Sequence, residues 1–230
     1  MTDIKAVLKR CPLFSVFPEP ALEEASAMAR VRQFKADEPI YGKGAMQSSL
    51  SVIAEGTVRI SSVNPAGREA VLVIFGAGAW FGDTVFSPGM PRVYGATAHE
   101  PVSVAELSGE GFRQLLARNP ESYPVALDLV SRRLWAAMSL IEDDALRGVK
   151  PRIGRRLLFL AQMHGDTVAD SRPVSFRLTR EHIANMMGMT RQGVHKVLKE
   201  FEADGLVSFQ YGRVTVPDPS RLETSLLTLE

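Results

Sequence analysis

The sequence predicts an α+β protein that consists of an N-terminal β-roll (a jelly-roll-like barrel), a long central helix and a C-terminal winged helix-turn-helix. Three observations predict this order. Glycines separate short apolar segments in the first half of the chain, an apolar heptad repeat follows, and two short amphipathic helices precede a hairpin near the C-terminus. The expected boundaries are residues 1–120 for the β-roll, 121–147 for the central helix and 148–230 for the winged helix-turn-helix.

Composition limits the class of protein. With 45% hydrophobic residues among 230, the chain can bury the core of one large domain or of two smaller ones. It has no run of 18 apolar residues, and its first residues lack the apolar core of a signal peptide, so we expect a cytoplasmic protein with no membrane partner. The net charge of +1 combines 12 basic and 9 acidic residues from Lys150 onward with 15 basic and 17 acidic residues before it.

Regularly spaced glycines indicate the β-roll between about residues 30 and 108. Short strands with a turn signal every 8 to 12 residues are typical of a β-sandwich or barrel. We assign most of these glycines to turns, and expect a different role only around Gly82. The spaced glycines are Gly44, Gly56, Gly67, Gly78 and Gly89, and the β-rich segments are L-S-V-I-A, T-V-R-I, A-V-L-V-I-F and V-S-V-A-E-L.

The central helix carries an apolar repeat of seven. Leu127, Leu134 and Ile141 are seven residues apart, and Val130 and Ala137 form the other half of the repeat. Two apolar positions per heptad are typical of a dimer interface, although the same face could instead pack on the β-roll of its own chain. Glycine and proline in R-G-V-K-P-R, residues 147–152, interrupt the helix and predict a hinge.

The C-terminal part has the signals of a winged helix-turn-helix. Thr179 and Thr190 are suited to cap two successive helices, which Gly188 and Gly205 end. A helix, a short turn with glycine and a second helix form the helix-turn-helix unit. The second helix buries one face through residues at i, i+3, i+4 and i+7, namely Val194, Val197, Leu198 and Phe201. Two short β segments follow, joined at Gln210-Tyr211-Gly212-Arg213.

The opposite face of the second helix is rich in hydrogen-bond donors, which predicts that it reads DNA bases in the major groove. Arg191 and Lys196 are suited to guanine O6 and N7, and Gln192 to adenine N6 and N7. The residues expected to read bases are Arg191, Gln192, His195 and Lys196. The residues expected to contact phosphates are Thr179, Arg180, Thr190, Lys199 and Arg213.

Two other function classes compete with DNA binding. A ligand-binding sensor could use the winged helix to bind a protein, but such a surface normally exposes aromatic anchors, and this helix face has none. A cupin-like enzyme would need clustered histidines and carboxylates, whereas the β-roll region contains only His99. The chain also lacks a Walker-type phosphate loop, G-x-S-x-G and H-E-x-x-H, so we expect no enzymatic activity.

Cysteine and histidine usage argues against metal chemistry. Cys11 is the only cysteine, which excludes an intrachain disulfide and any site that needs several thiolates, including an iron–sulfur cluster. We expect Cys11 to pack as a small apolar residue. The four histidines are scattered without ligand spacing, so no metal site is predicted.

Four segments of the chain resemble the CRP/FNR family of bacterial transcription regulators. They are L-F-S-V-F-P, A-E-G-T-V-R-I, G-A-W-F-G-D and L-T-R-E-H-I-A-N-M-M-G-M-T-R-Q-G-V-H-K-V-L. The resemblance implies a homodimer whose β-roll is an effector-sensing, cyclic-nucleotide-binding-like domain. An effector signal would shift the central helices and reorient two reading heads on a pseudo-palindromic operator, with RNA polymerase as a further partner. It does not say whether the protein is an activator or a repressor.

The resemblance also marks a candidate effector pocket. Family members that bind cyclic AMP hold the ribose with a Gly-Glu pair and the phosphate with an Arg-Ser pair. Gly82-Asp83 and Arg92-Val93 stand at these positions, and Ala137 and Met138 stand where polar residues would reach the purine. Valine, alanine and methionine offer no hydroxyl, so we expect no tight binding of cyclic AMP. No histidine stands at a position that marks a haem ligand, and the effector, if one is needed, stays unidentified.

The recognition helix departs from the cyclic-AMP branch as well. The family pattern of Arg-Glu-Thr followed by Arg aligns with Arg191, Gln192, Gly193 and Lys196. Glutamine both donates and accepts, so a preference for the cytosine amino group should weaken. We therefore expect a different operator that keeps the guanine contact of Arg191.

Overall fold

The computed structural model describes residues 2–164 and 173–229. It confirms the α+β class. The helices are α1 Ile4–Arg10, α2 Glu19–Met28, α3 Gly109–Arg118, α4 Tyr123–Leu146, α5 Val149–His164, α6 Arg180–Met187, α7 Arg191–Ala203 and α8 Pro219–Leu227. The strands are β1 Arg30–Phe34, β2 Pro39–Tyr41, β3 Ser49–Glu55, β4 Val58–Val63, β5 Glu69–Phe75, β6 Trp80–Phe81, β7 Gly95–Ala98, β8 Val102–Ser108, β9 Val174–Arg177, β10 Ser208–Gln210 and β11 Arg213–Val216.

The chain forms two compact units. The first comprises Met1–Ser62 and Ile74–Ala136, and the second comprises Val63–Val73 and Ala137–Glu230. The sequence predicts a central helix over residues 121–147, and α4 runs from Tyr123 to Leu146. The predicted helix thus begins two residues before α4 and ends one residue after it. The division into compact units instead falls inside this helix.

Eight strands of the β-roll form two four-stranded sheets, ordered β1-β8-β3-β6 and β2-β7-β4-β5. The four predicted segments are β3, β4, β5 and β8. Strand β3 lies between β8 and β6, and its residues from Ser49 to Ala54 are all buried, which explains its continuous apolar run. The predicted β-roll is thus confirmed, with shorter strands added to both sheets.

The spaced glycines occupy turns, as predicted, because all five have a left-handed backbone. Gly82 is left-handed too and lies, like Gly56, against a neighbouring backbone. Its φ is +104°, and a Cβ there would lie 2.3 Å from the carbonyl oxygen of Ser49. A side chain would therefore displace β3, so Gly82 is required by close packing as well as by backbone conformation.

The core of the first unit lies between the sheet of β3 and helices α1, α2 and α3. It contains a cluster of aromatic rings, in which Phe112 is 5.9 Å from both Phe14 and Phe86. Cys11 is completely buried in this core, and burial raises the pKa of its thiol to about 12. The thiol is therefore protonated at neutral pH and packs as a small apolar residue, as expected.

Helix α4 presents two different faces. Ala126 is buried, and Leu129 packs against the core of the first unit. The heptad positions Leu127, Val130, Leu134, Ala137 and Ile141 are exposed along another face. The helix thus packs on its own β-roll, but it does so without using the predicted dimer face. Arg147 and Gly148 separate α4 from α5, which is the predicted interruption.

The second unit contains the winged helix-turn-helix. Strands β10, β11 and β9 form a three-stranded sheet, in which β11 is central. Helices α6 and α7 follow β9, and α8 packs on α5 closely enough that a Cβ on Gly154 would lie 2.3 Å from Leu226. Helices α6 and α7 and the β10–β11 hairpin confirm the prediction, whereas β9 and α8 were not predicted.

Candidate nucleic-acid interface

Helix α6 is fixed at both ends by local hydrogen bonds. The Thr179 hydroxyl oxygen accepts from the backbone N–H of His182 at 3.1 Å, and Nδ1 of His182 accepts from the backbone N–H of Thr179 at 3.2 Å. This reciprocal pair is a capping box in which histidine replaces the usual glutamate. Gly188 ends the helix with a φ of +61°. The capping box and the terminal glycine together fix the direction in which the chain leaves α6 and enters α7.

Helix α7 is held by its apolar face. The Thr190 hydroxyl oxygen accepts from the backbone N–H of Gly193 at 3.2 Å, which starts the helix. Val194, Leu198 and Phe201 are completely buried. Burying residues at this spacing turns the opposite side of the helix toward solvent.

The outward side of α7 brings together all four residues predicted to read bases. Arg191, Gln192, His195 and Lys196 are exposed on it. The first carboxylate along the helix is that of Glu200, whose Oε2 is 2.9 Å from Nζ of Lys150 on α5. The face is therefore cationic and rich in donors over its first two turns, where a recognition helix contacts base edges.

The residues predicted to contact phosphates lie around this face. Thr179 and Thr190 both serve as N-caps, and their hydroxyl oxygens act there as acceptors, so each O–H proton can still be donated to an anion. Lys199 is exposed, with Glu202 3.9 Å away. Arg213 lies at the start of β11, where its Nη2 donates to the Ser175 carbonyl at 3.3 Å.

Arg180 is held inward more than Lys199 and Arg213, which are exposed. Its Nη2 is 3.5 Å from Oε2 of Glu202 on α7, and its guanidinium lies 5.1 Å from the ring centre of Phe209 on β10. Its side chain is 30% exposed. Arg180 thus links α6, α7 and the wing, and it has less of its guanidinium available to DNA than an exposed arginine has.

Two residues at the wing were missed by the sequence predictions. Arg177 on β9 pairs directly with Arg213 on β11, which places like charges opposite each other. Like charges that lie directly opposite each other across a sheet are unfavourable. Tyr211, at the tip of the hairpin, is fully exposed. Arg177 could not be identified from the sequence because it lies on β9, and a strand of four residues is too short to give a recognisable pattern.

A cleft separates the wing tip from the start of α6. Its volume is about 290 Å³. It is lined by Leu178, Thr179, Arg180, Glu181, Arg191, Phe209, Tyr211 and Gly212. The start of the recognition helix and the wing therefore border one cavity with two arginines and one carboxylate.

The candidate effector pocket in the first unit is built around Arg92, which is only 3% exposed. Its Nη2 donates to the carbonyl and hydroxyl oxygens of Ser49 at 2.7 and 3.1 Å, and its Nη1 donates to the Thr84 hydroxyl at 2.9 Å. The guanidinium lies 4.2 Å from the ring centre of Tyr41. Burial raises the pKa of Tyr41 to about 12. Arg92 is thus bound by its own chain at both terminal nitrogens.

Asp83 is also engaged within the first unit. Its Oδ1 is 2.6 Å from Nη1 of Arg133 on α4, and the guanidinium of Arg133 lies 3.5 Å from the ring centre of Trp80. Gly82, Asp83 and Arg92 are thus brought together, as predicted, while Val93 is exposed. Ala137 and Met138 are exposed on α4 and belong to the second unit.

Two other kinds of site are absent from the described part of the chain. No group of three histidine, cysteine, aspartate or glutamate side chains could hold a metal ion among residues 2–164 and 173–229. No helix within those ranges has the length and apolar character needed to cross a membrane.

Comparison with known sequences matches both units. Residues 31–119 match the family described as the cyclic nucleotide-binding domain, and residues 151–225 match the Crp-like helix-turn-helix domain. The CRP-like cAMP-activated global transcriptional regulator of Mycobacterium tuberculosis is 29% identical over 217 residues, which cover 94% of this chain and 96% of that protein.

Solved structures of the same fold support this assignment. A CRP-family transcriptional regulator from Thermus thermophilus is 26% identical with a TM-score of 0.65, and the match covers 86% of this chain and 98% of that one. FixK2 from Bradyrhizobium japonicum, at 17% identity, shares the fold with a TM-score of 0.72 over 85% of this chain and 96% of its own. The two domain matches and these full-length similarities agree, and the chain belongs to the CRP/FNR family of DNA-binding transcription regulators.

Proposed function

We propose that this regulator binds duplex DNA as a homodimer, with α7 of each protomer in the major groove of one half of a pseudo-palindromic operator. One observation carries the proposal: the donor-rich face of α7 is exposed while Val194, Leu198 and Phe201 anchor the opposite face. A two-fold dimer presents two such faces, and half-sites one helical turn apart match that symmetry.

The homodimer is supported by the exposed heptad face of α4. Its five apolar positions, including Leu127, Leu134 and Ile141, point away from the packed face at Ala126 and Leu129. A contiguous apolar stripe on a helix is unfavourable in water, and a second copy of the same stripe would cover it. The same interface would deliver both recognition helices to one operator.

Within the operator we assign two roles to the exposed residues. Arg191 and Lys196 read guanine and Gln192 reads adenine, with His195 beside them on the same face. Thr179, Thr190, Lys199 and Arg213 contact phosphates and fix the register of the helix in the groove. Arg180 contributes mainly through its contacts with Glu202 and Phe209.

We infer that cyclic AMP is not a tight effector, although the Mycobacterium tuberculosis relative is described as cAMP-activated. Arg92 already donates to Ser49 and Thr84 through both terminal nitrogens, which leaves only part of its guanidinium for a phosphate. Val93 offers no hydroxyl, and Asp83 is paired with Arg133. A ligand of different chemistry, or none, fits these residues better.

A DNA-binding role also supports a cytoplasmic location, a partnership with RNA polymerase and no enzymatic activity.

Selection of bound DNA fragments tests the proposed reading roles. Arg191→Ala should cost about 1–3 kcal/mol and relax one base position in each half-site. Lys199→Ala is the matched control on the same helix, and it should weaken binding equally across sequences and reduce the salt slope by about one. If Arg191→Ala instead weakened all sequences equally, Arg191 would be a phosphate contact. Repeating the selection with cell extract would report any dependence on a small molecule.

A further inference from the structure

The wing ends in an unusual turn. Gln210 and Arg213 pair across the hairpin, so that Tyr211 and Gly212 form a two-residue loop. Their φ angles are +49° and +74°, both left-handed. A two-residue hairpin loop with both residues left-handed is a type I′ turn, in which asparagine, aspartate or glycine is strongly preferred at the first position. A bulky aromatic residue there is an outlier that costs conformational free energy.

The described residues make no contact that compensates for this cost. The Tyr211 side chain is fully exposed, so that its ring buries no area against its own chain. Phe209, two residues earlier on the same hairpin, is half-buried and has the Arg180 guanidinium 5.1 Å from its ring centre. The aromatic ring of Tyr211 is therefore not explained by stability, and locally unfavourable residues of this kind concentrate at functional positions.

The turn is fixed beside the DNA-reading elements. The backbone N–H of Leu178 donates to the Gly212 carbonyl at 3.0 Å, which ties the wing tip to the residue just before the cap of α6. Tyr211 lines the 290 Å³ cleft together with Thr179, Arg180 and Arg191. Tyr211 thus borders the same cleft as the first residue of the recognition helix and as a hydroxyl that can donate to an anion.

We propose that Tyr211 is a DNA-contacting residue of the wing, whose ring packs against a deoxyribose and whose phenol O–H donates to a backbone phosphate. Tyrosine is among the side chains that contact phosphate oxygens, and such contacts position a protein without reading sequence. The inference rests on the proposed function, because it assumes that α7 lies in the adjacent major groove. It adds a sequence-independent contact to each half-site.

Three substitutions in the full-length protein test this role. Tyr211→Asn places a preferred residue in the left-handed turn, so it should raise the melting temperature while weakening binding to the selected operator about tenfold or more. Tyr211→Phe removes only the hydroxyl and should weaken binding by about tenfold or more, as expected for one hydrogen bond to a charged group. Leu227→Ala, an exposed apolar residue on α8, is the control and should change neither quantity.

The outcomes separate this inference from the proposed function. If the wild-type protein binds its operator and the two Tyr211 variants bind it equally well, the contact is refuted while DNA binding by α7 stands. A fall in both melting temperature and affinity for Tyr211→Asn would show a structural role and would also refute it. If the wild-type protein binds no DNA fragment, the proposed function fails and the contact fails with it.

Discussion

Replacing Leu134 with alanine should weaken the dimer while leaving the protomer folded. Leu134 is 60% exposed in the single chain, so alanine removes little burial from the folded protomer. Leucine exceeds alanine by three carbons, which are worth about 2.4 kcal/mol on full burial at about 0.8 kcal/mol each. Covering the exposed 60% then contributes about 1.4 kcal/mol per copy, and about 3 kcal/mol for the two copies in a two-fold interface.

This free energy corresponds to a dissociation constant raised roughly 100-fold, at about 1.4 kcal/mol for each factor of ten. Sedimentation equilibrium over a dilution series measures it directly. Leu227→Ala is the matched control, because Leu227 is 63% exposed on α8 and is not part of the heptad repeat. The melting temperature of Leu134→Ala, measured where both proteins are monomeric, should equal that of the wild type. An unchanged dissociation constant for Leu134→Ala would refute the interface assigned to α4.

Three further predictions concern the first unit. Gly82→Ala should lower the free energy of unfolding by about 1–3 kcal/mol, because its Cβ would meet the Ser49 carbonyl at 2.3 Å, and an unchanged urea midpoint would contradict this. The pKa of the Cys11 thiol is raised from an ordinary 9.0 to about 12 in the folded state. Its contribution to the free energy of unfolding is therefore fully present below pH 9, and it falls by about 1.4 kcal/mol per pH unit as pH rises toward 12. Cys11→Ala should flatten that slope in urea unfolding between pH 9 and 11, and equal slopes would argue against it. Calorimetric titration with cyclic AMP should give no low-micromolar binding, and such binding would overturn the interpretation of Arg92 and Val93.

Strong periodicity made much of the fold predictable. The continuous apolar run of β3 reflects a strand that is buried along almost its whole length, and the i, i+3, i+4, i+7 pattern of α7 reflects a helix that buries one face. The structure has both elements where the patterns indicate them. The strands β2 and β6, of three and two residues, carry too few side chains to form a pattern. They exist because neighbouring strands supply hydrogen-bond partners, which is a tertiary effect.

The site was predictable to the extent that it depends on local geometry. Once one face of α7 is buried, the positions of Arg191 and Lys196 on the other face follow from the helical period. The surroundings of Arg180 and Arg92 do not follow from it. Arg92 donates to Ser49, 43 residues earlier in the chain, and Arg180 meets Glu202 and Phe209 on later elements. Such contacts depend on how distant elements pack, so the sequence alone did not reveal that both guanidinium groups are already engaged.

Hydroxyl-radical footprinting on a selected operator, combined with the mass of the complex, tests the central claim most directly. If paired α7 helices read DNA, two protected half-sites should be related by two-fold symmetry and centred about one helical turn apart, with two chains bound to each duplex. Protection of a single unsymmetrical patch by one chain, or no protection of any fragment, would contradict the account.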